Sequence, residues 1–280
     1  MVHFREEGFF LGLVCNVMKF LSLKNINLNF GGLRALDNVS FDIEKGSICC
    51  LIGPNGSGKT SILNVINNFY KAEQGRVIFN GEDITKLAPH KIAEKGVART
   101  FQNLALIEGM TVIDNIKIGR HMTMKTGILG GLIYWGKAQR EEINHRKDIE
   151  ERVIDFLEIE DIRNEYVHTL PYGLQKKVEV ARALAMPCSL LLLDEPTAGM
   201  NADEINDMVR YILDIRKYWG ITVLFIIHEI GVAMGISDKI IVMNFGAKIS
   251  EGSPGEITED PIVIEAYLGK REFKDEKNPS

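Results

Sequence analysis

The segment GPNGSGKT at residues 53–60 constrains the fold of this chain more than any other part of the sequence. It follows the apolar run SICCLI and opens the helical pattern KTSILNVINNF. Its glycines allow the backbone to curl, so that successive N–H groups point at phosphate oxygens at the positive end of the helix. The plain alternative is a glycine-rich turn with an exposed lysine. The complete order of strand, loop and helix favours a phosphate-binding loop.

The residue types in this loop indicate a triphosphate bound together with a metal ion. Lys59 is placed to reach the β- and γ-phosphates, and Thr60 is placed to offer its hydroxyl to Mg²⁺. The expected nucleotide-binding residues of the loop are Gly53, Pro54, Asn55, Gly56, Ser57, Gly58, Lys59, Thr60 and Ser61.

Metal-assisted phosphoryl transfer also needs an acid at the end of a buried strand, and LLLLDEP at 190–196 supplies two. Asp194 can bind in the Mg²⁺ shell, and Glu195 can accept a proton from the attacking water. Taken alone, Asp-Glu-Pro is more often a polar turn that ends a strand. Its presence in one chain with the phosphate loop favours the catalytic interpretation.

Two further polar residues follow strand-like runs. Gln102 stands in RTFQNL, and His228 follows ITVLFII. A neutral amide can orient water and touch a metal, and a histidine can hydrogen-bond a γ-phosphate. Because a lone glutamine or histidine at a strand end is usually a solvated terminus, both assignments depend on the other motifs.

From residue 20 onward, short β-branched runs alternate with longer helical patterns, which is typical of an α/β domain with a mainly parallel sheet. Strands are predicted at 22–28, 40–43, 47–52, 76–80, 190–193, 221–227 and 240–245. Helices are predicted at 59–69, 138–158, 174–186 and 202–219.

Composition narrows the classes of partner. The chain has 280 residues, of which 45% are hydrophobic, enough for one or two globular cores. Its net charge of −5 gives no basis for wrapping nucleic acid, so no nucleic-acid partner is expected. No apolar run reaches the roughly 18 residues of a spanning helix.

We expect residues 1–19 to be a dispensable extension, 20–268 to be the folded domain, and 269–280 to be a charged tail.

Five motifs in order carry a family resemblance. GPNGSGKT, FQ, YGLQKKVEVARAL, LLLLDEP and IIHE together resemble the nucleotide-binding subunits of ABC transporters over nearly all of residues 20–268. The resemblance implies an α/β fold, a P-loop NTPase with a RecA-like core, an antiparallel β subdomain and a helical signature subdomain at about 103–186. It implies ATP hydrolysis with ATP and Mg²⁺ as cofactors. The implied catalytic residues are Glu195, His228 and Gln102, and the implied metal-site residues are Thr60, Gln102 and Asp194.

Within this family, the chain resembles the ATP-binding subunit of branched-chain amino acid importers. The closing IEAYLG and the long insert at 121–150 are the stretches most typical of that group. The resemblance implies transmembrane permease subunits, a second ABC ATPase subunit and, indirectly, a periplasmic or extracellular solute-binding protein, at the cytoplasmic face of the membrane. Urea or amide importers, lipid or lipopolysaccharide exporters and non-transport ABC switch proteins remain alternatives, since the solute is not encoded here.

The resemblance also implies that two such domains close head to tail, each completing the partner's ATP site with its signature segment. That segment is usually Leu-Ser-Gly-Gly-Gln, but here Leu170 is followed by Pro171, Tyr172, Gly173, Leu174 and Gln175. Pro171 lacks both a hydroxyl and a backbone N–H. Losing one hydrogen bond to a charged group costs roughly 1.5–3 kcal/mol, so we expect unequal ATP sites if the two ATPase subunits differ.

Three other expectations follow from the resemblance. Phe30 lies where the family places an aromatic residue against adenine, although a core role is nearly as well supported. Asn201 replaces a common aspartate in the loop expected at the dimer interface. Residues 103–116 are the expected docking groove for a membrane-subunit helix, whereas the apolar patch at 127–135 is expected to pack inside the helical subdomain.

Overall fold

The structure is a computed structural model that describes residues 19–101, 104–121, 143–144, 147 and 150–267. Gln102, the predicted N-terminal extension except for Lys19, the C-terminal tail and most of the insert at 121–150 lie outside the described residues.

The described residues include ten strands and seven α-helices with defined bounds. The strands are β1 Lys19–Phe30, β2 Leu33–Glu44, β3 Ile48–Ile52, β4 Gln74–Phe79, β5 Glu82–Asp83, β6 Val97–Arg99, β7 Leu190–Asp194, β8 Thr222–Ile226, β9 Lys239–Asn244 and β10 Ala247–Gly252. The helices are α1 Lys59–Ile66, α2 Pro89–Glu94, α3 Val112–His121, α4 Tyr172–Leu184, α5 Ala202–Trp219, α6 Ile230–Ile236 and α7 Pro254–Glu259. A short π-helix spans Glu150–Ile154, a 3₁₀ turn spans Val167–Thr169, and residues 261–267 are helical.

Two sheets organise these elements. The smaller is antiparallel with strand order β2-β1-β4-β5, and the larger has the order β10-β9-β3-β8-β7-β6. In the larger sheet every neighbouring pair is parallel except β9 with β10. The expected α/β architecture with a mainly parallel sheet is therefore present, together with a separate antiparallel part near the start of the domain.

The central strands of the larger sheet are buried on both faces. All five residues of β3, β7 and β8 are buried, as expected for near-continuous apolar runs in a parallel sheet with both faces covered. Successive residues of β3 pack into two different hydrophobic cores, one on each face of the sheet. Ile48 and Cys50 pack with the cluster that includes α4 and α5. Cys49 and Leu51 pack with the cluster that includes α1 and the antiparallel sheet.

This topology gathers the chemical motifs at one edge. The phosphate loop leaves the carboxyl end of β3, Asp194 ends β7, and His228 follows β8. Since β3 pairs with β8 and β8 pairs with β7 in parallel, these three ends are neighbours. Ligands of open α/β sheets bind outside the carboxyl ends of the strands, so the fold itself selects this edge as the site.

The predicted element boundaries differ from the observed ones where backbone conformation intervenes. Helix α1 ends at Ile66 rather than at residue 69, because Asn68 adopts a left-handed conformation with φ of 54°. Helix α4 begins at Tyr172, two residues earlier than predicted, with the extended Pro171 as its N-cap. The helix predicted at 138–158 extends too far, since residues 155–158 form a turn.

Helix α4, which begins within the predicted signature segment and is called the signature helix below, packs against α3 and is hydrogen-bonded to α5. Lys177 of α4 donates to the hydroxyl of Tyr211 in α5 at 3.3 Å. Tyr211 in turn donates to Glu158, whose carboxylate also accepts two hydrogen bonds of 2.9 Å from Arg210. These contacts hold α4, α5 and the turn after the π-helix together.

Helix α5 begins as predicted at residue 202, and its start is fixed by Asn201. The Asn201 side-chain oxygen accepts bonds of 3.0 Å from the N–H groups of Asp203 and Glu204. The Asn201 N–H in turn donates a bond of 2.9 Å to the Glu204 carboxylate, which completes a capping box. The residue expected at a dimer interface therefore has a second role within its own subunit.

We predict that Asn201→Ala lowers the free energy of unfolding by about 1 kcal/mol, since it removes the cap of an 18-residue helix. Urea unfolding of the isolated chain measures this change. Asn201→Asp keeps the accepting oxygen and serves as the control, with stability close to that of the parent chain. Equal stability of the alanine and aspartate variants would contradict the capping role.

Candidate active site

A cleft with a volume of about 540 Å³ lies beside the phosphate loop. It is lined by Phe30, Leu33, Arg34, Ala35, Asn55, Gly56, Ser57, Gly58, Lys59, Thr60, Ser61, Glu195 and His228. Residues from three strand ends and from the β1–β2 hairpin therefore meet around one space. Of the predicted site residues, the structure brings together most of the phosphate loop, Phe30, Glu195 and His228.

The phosphate loop is shaped by close backbone contacts that only glycine permits at two positions. A Cβ atom on Gly53 would overlap the carbonyl oxygen of Met243 in β9. A Cβ atom on Gly58, which has φ of 99°, would lie 2.8 Å from the carbonyl oxygen of Ala35. The curl of the loop is thus clamped between β9 and β2, and this fixes the direction of the N–H groups at the start of α1.

Lys59 is buried inside its own loop. Its ammonium group donates to the carbonyl oxygens of Gly53 at 2.8 Å and Pro54 at 3.0 Å. The buried Ser57 hydroxyl has no hydrogen-bond partner within the described part of the chain. A buried cation and an unsatisfied hydroxyl in a curl of backbone N–H groups are suited to the oxygens of a phosphate chain.

Thr60 and Asp194 present hard oxygen atoms to the same point. The Thr60 hydroxyl lies 3.4 Å from Asp194 Oδ1. Mg²⁺ commonly takes one or two protein oxygens together with water and substrate phosphates, and this pair fits such a site. The described residues contain no group of three or more His, Cys, Asp and Glu side chains that could hold a metal by themselves.

Asp194 is held by Arg99, a residue that the sequence motifs did not identify. Arg99 donates from Nη2 to Asp194 Oδ2 at 3.0 Å and from Nη1 to Asn64 of α1 at 2.7 Å. The side chains of Arg99 and Asp194 are only 5% and 1% exposed. Burial raises the pKa of the Asp194 carboxyl, and the Arg99 guanidinium opposes that rise. The sequence signal that could have identified Arg99 is a single charged residue in the otherwise uncharged segment GVARTF.

Glu195 and His228 also line the cleft. Glu195 Oε1 lies 2.7 Å from His228 Nε2. Glu195 adopts φ of 52°, a left-handed conformation uncommon for a non-glycine residue, and its N–H bonds to the carbonyl oxygen of Ile226. The turn after β7 therefore directs Asp194 and the next carboxylate to different places. Asp194 points to Thr60 and Arg99, and Glu195 faces the cleft.

Phe30 lies at the rim of the cleft rather than in the core. Its side chain is 45% exposed and meets the ring of Tyr70 edge to face, with centroids 5.0 Å apart. This exposure excludes the core alternative. Arg34 and Leu33 also line this rim, although the motifs did not identify them.

The signature residues do not line this cleft. Pro171 is the N-cap of α4 and supplies no side-chain cap, and its carbonyl accepts the Gln175 N–H at 3.1 Å. A Cβ atom on Gly173 would overlap the carboxylate of Glu204. The carboxylate of Glu204, from the first turn of α5, therefore lies beside the N-terminus of α4.

Comparison with known proteins places these features in a family. The ABC transporter family matches residues 36–198 of the chain, which include the phosphate loop, Asp194 and Glu195. The chain belongs to the ABC transporter ATPases. A second family, the branched-chain amino acid ATP-binding cassette transporters, matches residues 247–272, which begin at β10.

Curated relatives of this ABC ATPase align with most of the chain. It is 37% identical over 250 residues to the high-affinity branched-chain amino acid transport ATP-binding protein BraF of Pseudomonas aeruginosa, covering 89% of this chain and 98% of that protein. It is 38% identical over 253 residues to the protein LivG of Escherichia coli strain K12, whose name describes the same transport role, with the same two coverages.

Solved structures confirm the predicted fold class. A nucleotide-free ATP-binding cassette from an ABC transporter superposes with a TM-score of 0.78 and 33% identity, covering 89% of this chain and 99% of that one. The ADP conformation of an ATP-binding cassette superposes with a TM-score of 0.77 and 32% identity, covering 90% and 99%. The resemblance drawn from the five motifs is confirmed as well. The roles of individual site residues stay predictions.

We predict that Arg99→Met destabilises this ABC ATPase more at pH 8 than at pH 5. Because burial raises the pKa of Asp194 in the folded state, stability falls as pH rises from the ordinary value of 3.8 through the raised value. Loss of the guanidinium raises that pKa further, so stability falls over a wider range of pH. At pH 8 the cost should be about 3–5 kcal/mol, as for a buried charge left without its partner.

Urea unfolding at the two pH values measures this difference. The double variant Arg99→Met/Asp194→Asn is the control, since it has no carboxyl to titrate and should recover part of the loss at pH 8. An equal cost of Arg99→Met at both pH values would show that Arg99 does not act on the charge of Asp194.

Proposed function

We propose that this chain is the ATP-hydrolysing subunit of a binding-protein-dependent ABC importer for branched-chain amino acids. The ATPase activity is that of its family. The observation that carries the finer assignment is the match of residues 247–272 to the branched-chain amino acid cassettes. The names of BraF and LivG, which align with 89% of the chain, agree with it.

In the proposed reaction the phosphate chain of ATP lies in the curl of residues 53–60. The Lys59 ammonium leaves the carbonyl oxygens of Gly53 and Pro54 and contacts the β- and γ-phosphates. Adenine lies against Phe30 at the rim of the cleft. Buried N–H groups and a buried cation stabilise the charge that spreads over the phosphoryl oxygens.

Glu195 is proposed to act on the attacking water. Its carboxylate accepts the proton, and His228, already 2.7 Å away, orients that carboxylate and contacts the γ-phosphate. Gln102 is proposed to orient the same water. The left-handed turn at Glu195 keeps it apart from Asp194, so that one acid binds the metal and the other handles the proton.

Thr60 and Asp194 are the residues that would hold Mg²⁺. When bound, the ion would supply positive charge that offsets the negative charge of the phosphates during transfer. Arg99 keeps Oδ2 of Asp194 engaged, which leaves Oδ1 toward Thr60.

The ATPase unit is proposed to comprise residues 20–268, with 103–186 as the helical subdomain and the ends of the chain as accessory segments. ATPases of this family belong to transporters and therefore have membrane permease partners. No helix among the described residues is long and apolar enough to cross a membrane. The chain is proposed to lie at the cytoplasmic face of the membrane, beside permease subunits that contact the groove of residues 103–116.

A second ABC ATPase subunit is proposed to close on the cleft. The signature residues of this chain would then complete the partner's site, and Pro171 would weaken that site alone. The exposed position of Pro171 at the start of α4 supports contact with another subunit. The carboxylate of Glu204 beside Gly173 would further disfavour a phosphate there.

Co-purification and solute dependence test the assignment. The tagged chain should co-purify with permease subunits, and its ATP hydrolysis in proteoliposomes should rise when a binding protein loaded with leucine, isoleucine or valine is added. Stimulation by urea or amides, or by lipid or lipopolysaccharide alone, would replace the proposed solute class. Hydrolysis that is independent of any permease would contradict a transport role.

We predict that Glu195→Gln lowers kcat by about 10²–10⁴-fold while ATP still binds, because the amide cannot accept the proton. Stopped-flow hydrolysis and fluorescent nucleotide binding measure the two quantities. Lys59→Met is the comparator and should lose nucleotide affinity. Rapid turnover by Glu195→Gln would remove Glu195 from its proposed role.

A further inference from the structure

Three charged residues on one face of α4 bind the backbone that leads out of β6. Lys176, Glu179 and Arg182 are spaced three residues apart and so lie along one side of the helix. Glu179 Oε1 accepts the N–H of Phe101 at 2.9 Å, and Lys176 Nζ donates to the carbonyl oxygen of Phe101 at 3.4 Å. Arg182 donates to the carbonyl oxygen of Ala105.

The first two of these residues are deeply buried. Lys176 and Glu179 are 2% and 1% exposed, and their charged atoms lie 3.4 Å apart. Burial raises the pKa of the Glu179 carboxyl, opposed by the Phe101 N–H and by Lys176. Two apolar side chains could fill this space without the desolvation of two charges. Apolar side chains could not, however, accept the Phe101 N–H or donate to the Phe101 carbonyl oxygen.

The side chain of Phe101 connects this fixed backbone to the site. Its ring lies under the guanidinium of Arg99, with 5.0 Å between the guanidinium carbon and the ring centroid. It also meets the ring of Phe69 edge to face at 5.8 Å. Arg99 holds Asp194 Oδ2 at 3.0 Å. Contacts therefore run without a gap from α4 through Phe101 and Arg99 to the acid at the end of β7.

We propose that Lys176 and Glu179 are positioning residues for ATP hydrolysis, which fix the Phe101 backbone and thereby the Arg99–Asp194 pair relative to Thr60. This inference rests on the proposed ATPase function. It assigns the signature helix a role within its own subunit's ATP site, in addition to its proposed contact with the partner's nucleotide.

The chain offers a matched control on the same helix. Lys177 is also a largely buried lysine of α4, but it donates to Tyr211 and Asp207 of α5 and not to Phe101. Lys177→Met removes a charge of the same kind from the neighbouring position. A role of α4 in stability alone predicts similar effects of changes at 176 and 177, whereas positioning predicts effects on catalysis at 176 and 179 only.

The test compares Lys176→Met/Glu179→Leu, Glu179→Gln and Lys177→Met in the full-length chain assembled with its permease. We expect the double variant to keep its ATP affinity and to lose about tenfold in kcat. This loss is smaller than the roughly hundredfold loss of rate that a misplacement of 1 Å can cause. Glu179→Gln keeps an accepting oxygen for the Phe101 N–H and should restore most of kcat. Lys177→Met should leave kcat and KM unchanged.

Hydrogen exchange gives a readout that is independent of turnover. Peptides covering 97–101 should exchange faster in the double variant and at the parent rate in Glu179→Gln. If the double variant does not fold, Glu179→Asp keeps the charge but withdraws the acceptor, and it should lower kcat with unchanged ATP affinity.

An unchanged kcat in the double variant, or an equal loss in Lys177→Met, would overturn the positioning role. Failure of the parent chain to hydrolyse ATP would instead refute the proposed function. The two failures are therefore distinguishable within one set of measurements.

Discussion

The site is organised around a carboxylate that is buried at the end of a parallel strand and paired with a buried guanidinium. Asp194 ends β7, an inner strand of the larger sheet between β8 and β6, in which all five residues are buried. An unpaired carboxylate there would be costly, and Arg99 from the neighbouring β6 supplies the opposing charge. Since Arg99 also binds Asn64 of α1, the acid, the edge strand and the helix after the phosphate loop are fixed to one another. The space that remains beside Asp194 faces Thr60.

The phosphate loop is held from the other side by close packing. The contacts of Gly53 with β9 and of Gly58 with β2 leave no room for side chains, so the antiparallel sheet and the parallel sheet both determine the curl of the loop. Lys59 is buried in that curl against carbonyl oxygens, where a phosphate chain can replace them as its partners. The fold therefore places N–H groups and a cation near a pair of acids, an arrangement that is suited to phosphoryl transfer.

Sequence reasoning predicted the parts of this site that have local signals. The phosphate loop, the acids after β7 and the histidine after β8 each combine a strand end with a characteristic residue type, and the family and fold class drawn from them are confirmed. It did not identify Arg99, Lys176 or Glu179, because Arg99 meets Asp194, and the other two meet Phe101, across 75 or more residues of the chain. Only the packing of α4, β6 and β7 brings these groups together. Helix ends were misjudged where a single residue such as Asn68 turns the backbone left-handed. The roles of the site residues remain predictions.

The most direct test of this account is a crystal structure of the full chain with a non-hydrolysable ATP analogue and Mn²⁺, located by anomalous scattering. The account predicts the triphosphate in the loop of residues 53–60, with Lys59 Nζ moved from the carbonyl oxygens of Gly53 and Pro54 to the phosphates. It predicts the metal between Thr60 and Asp194, with Arg99 still on Asp194 Oδ2. A triphosphate bound elsewhere, or a metal that touches neither Thr60 nor Asp194, would contradict it.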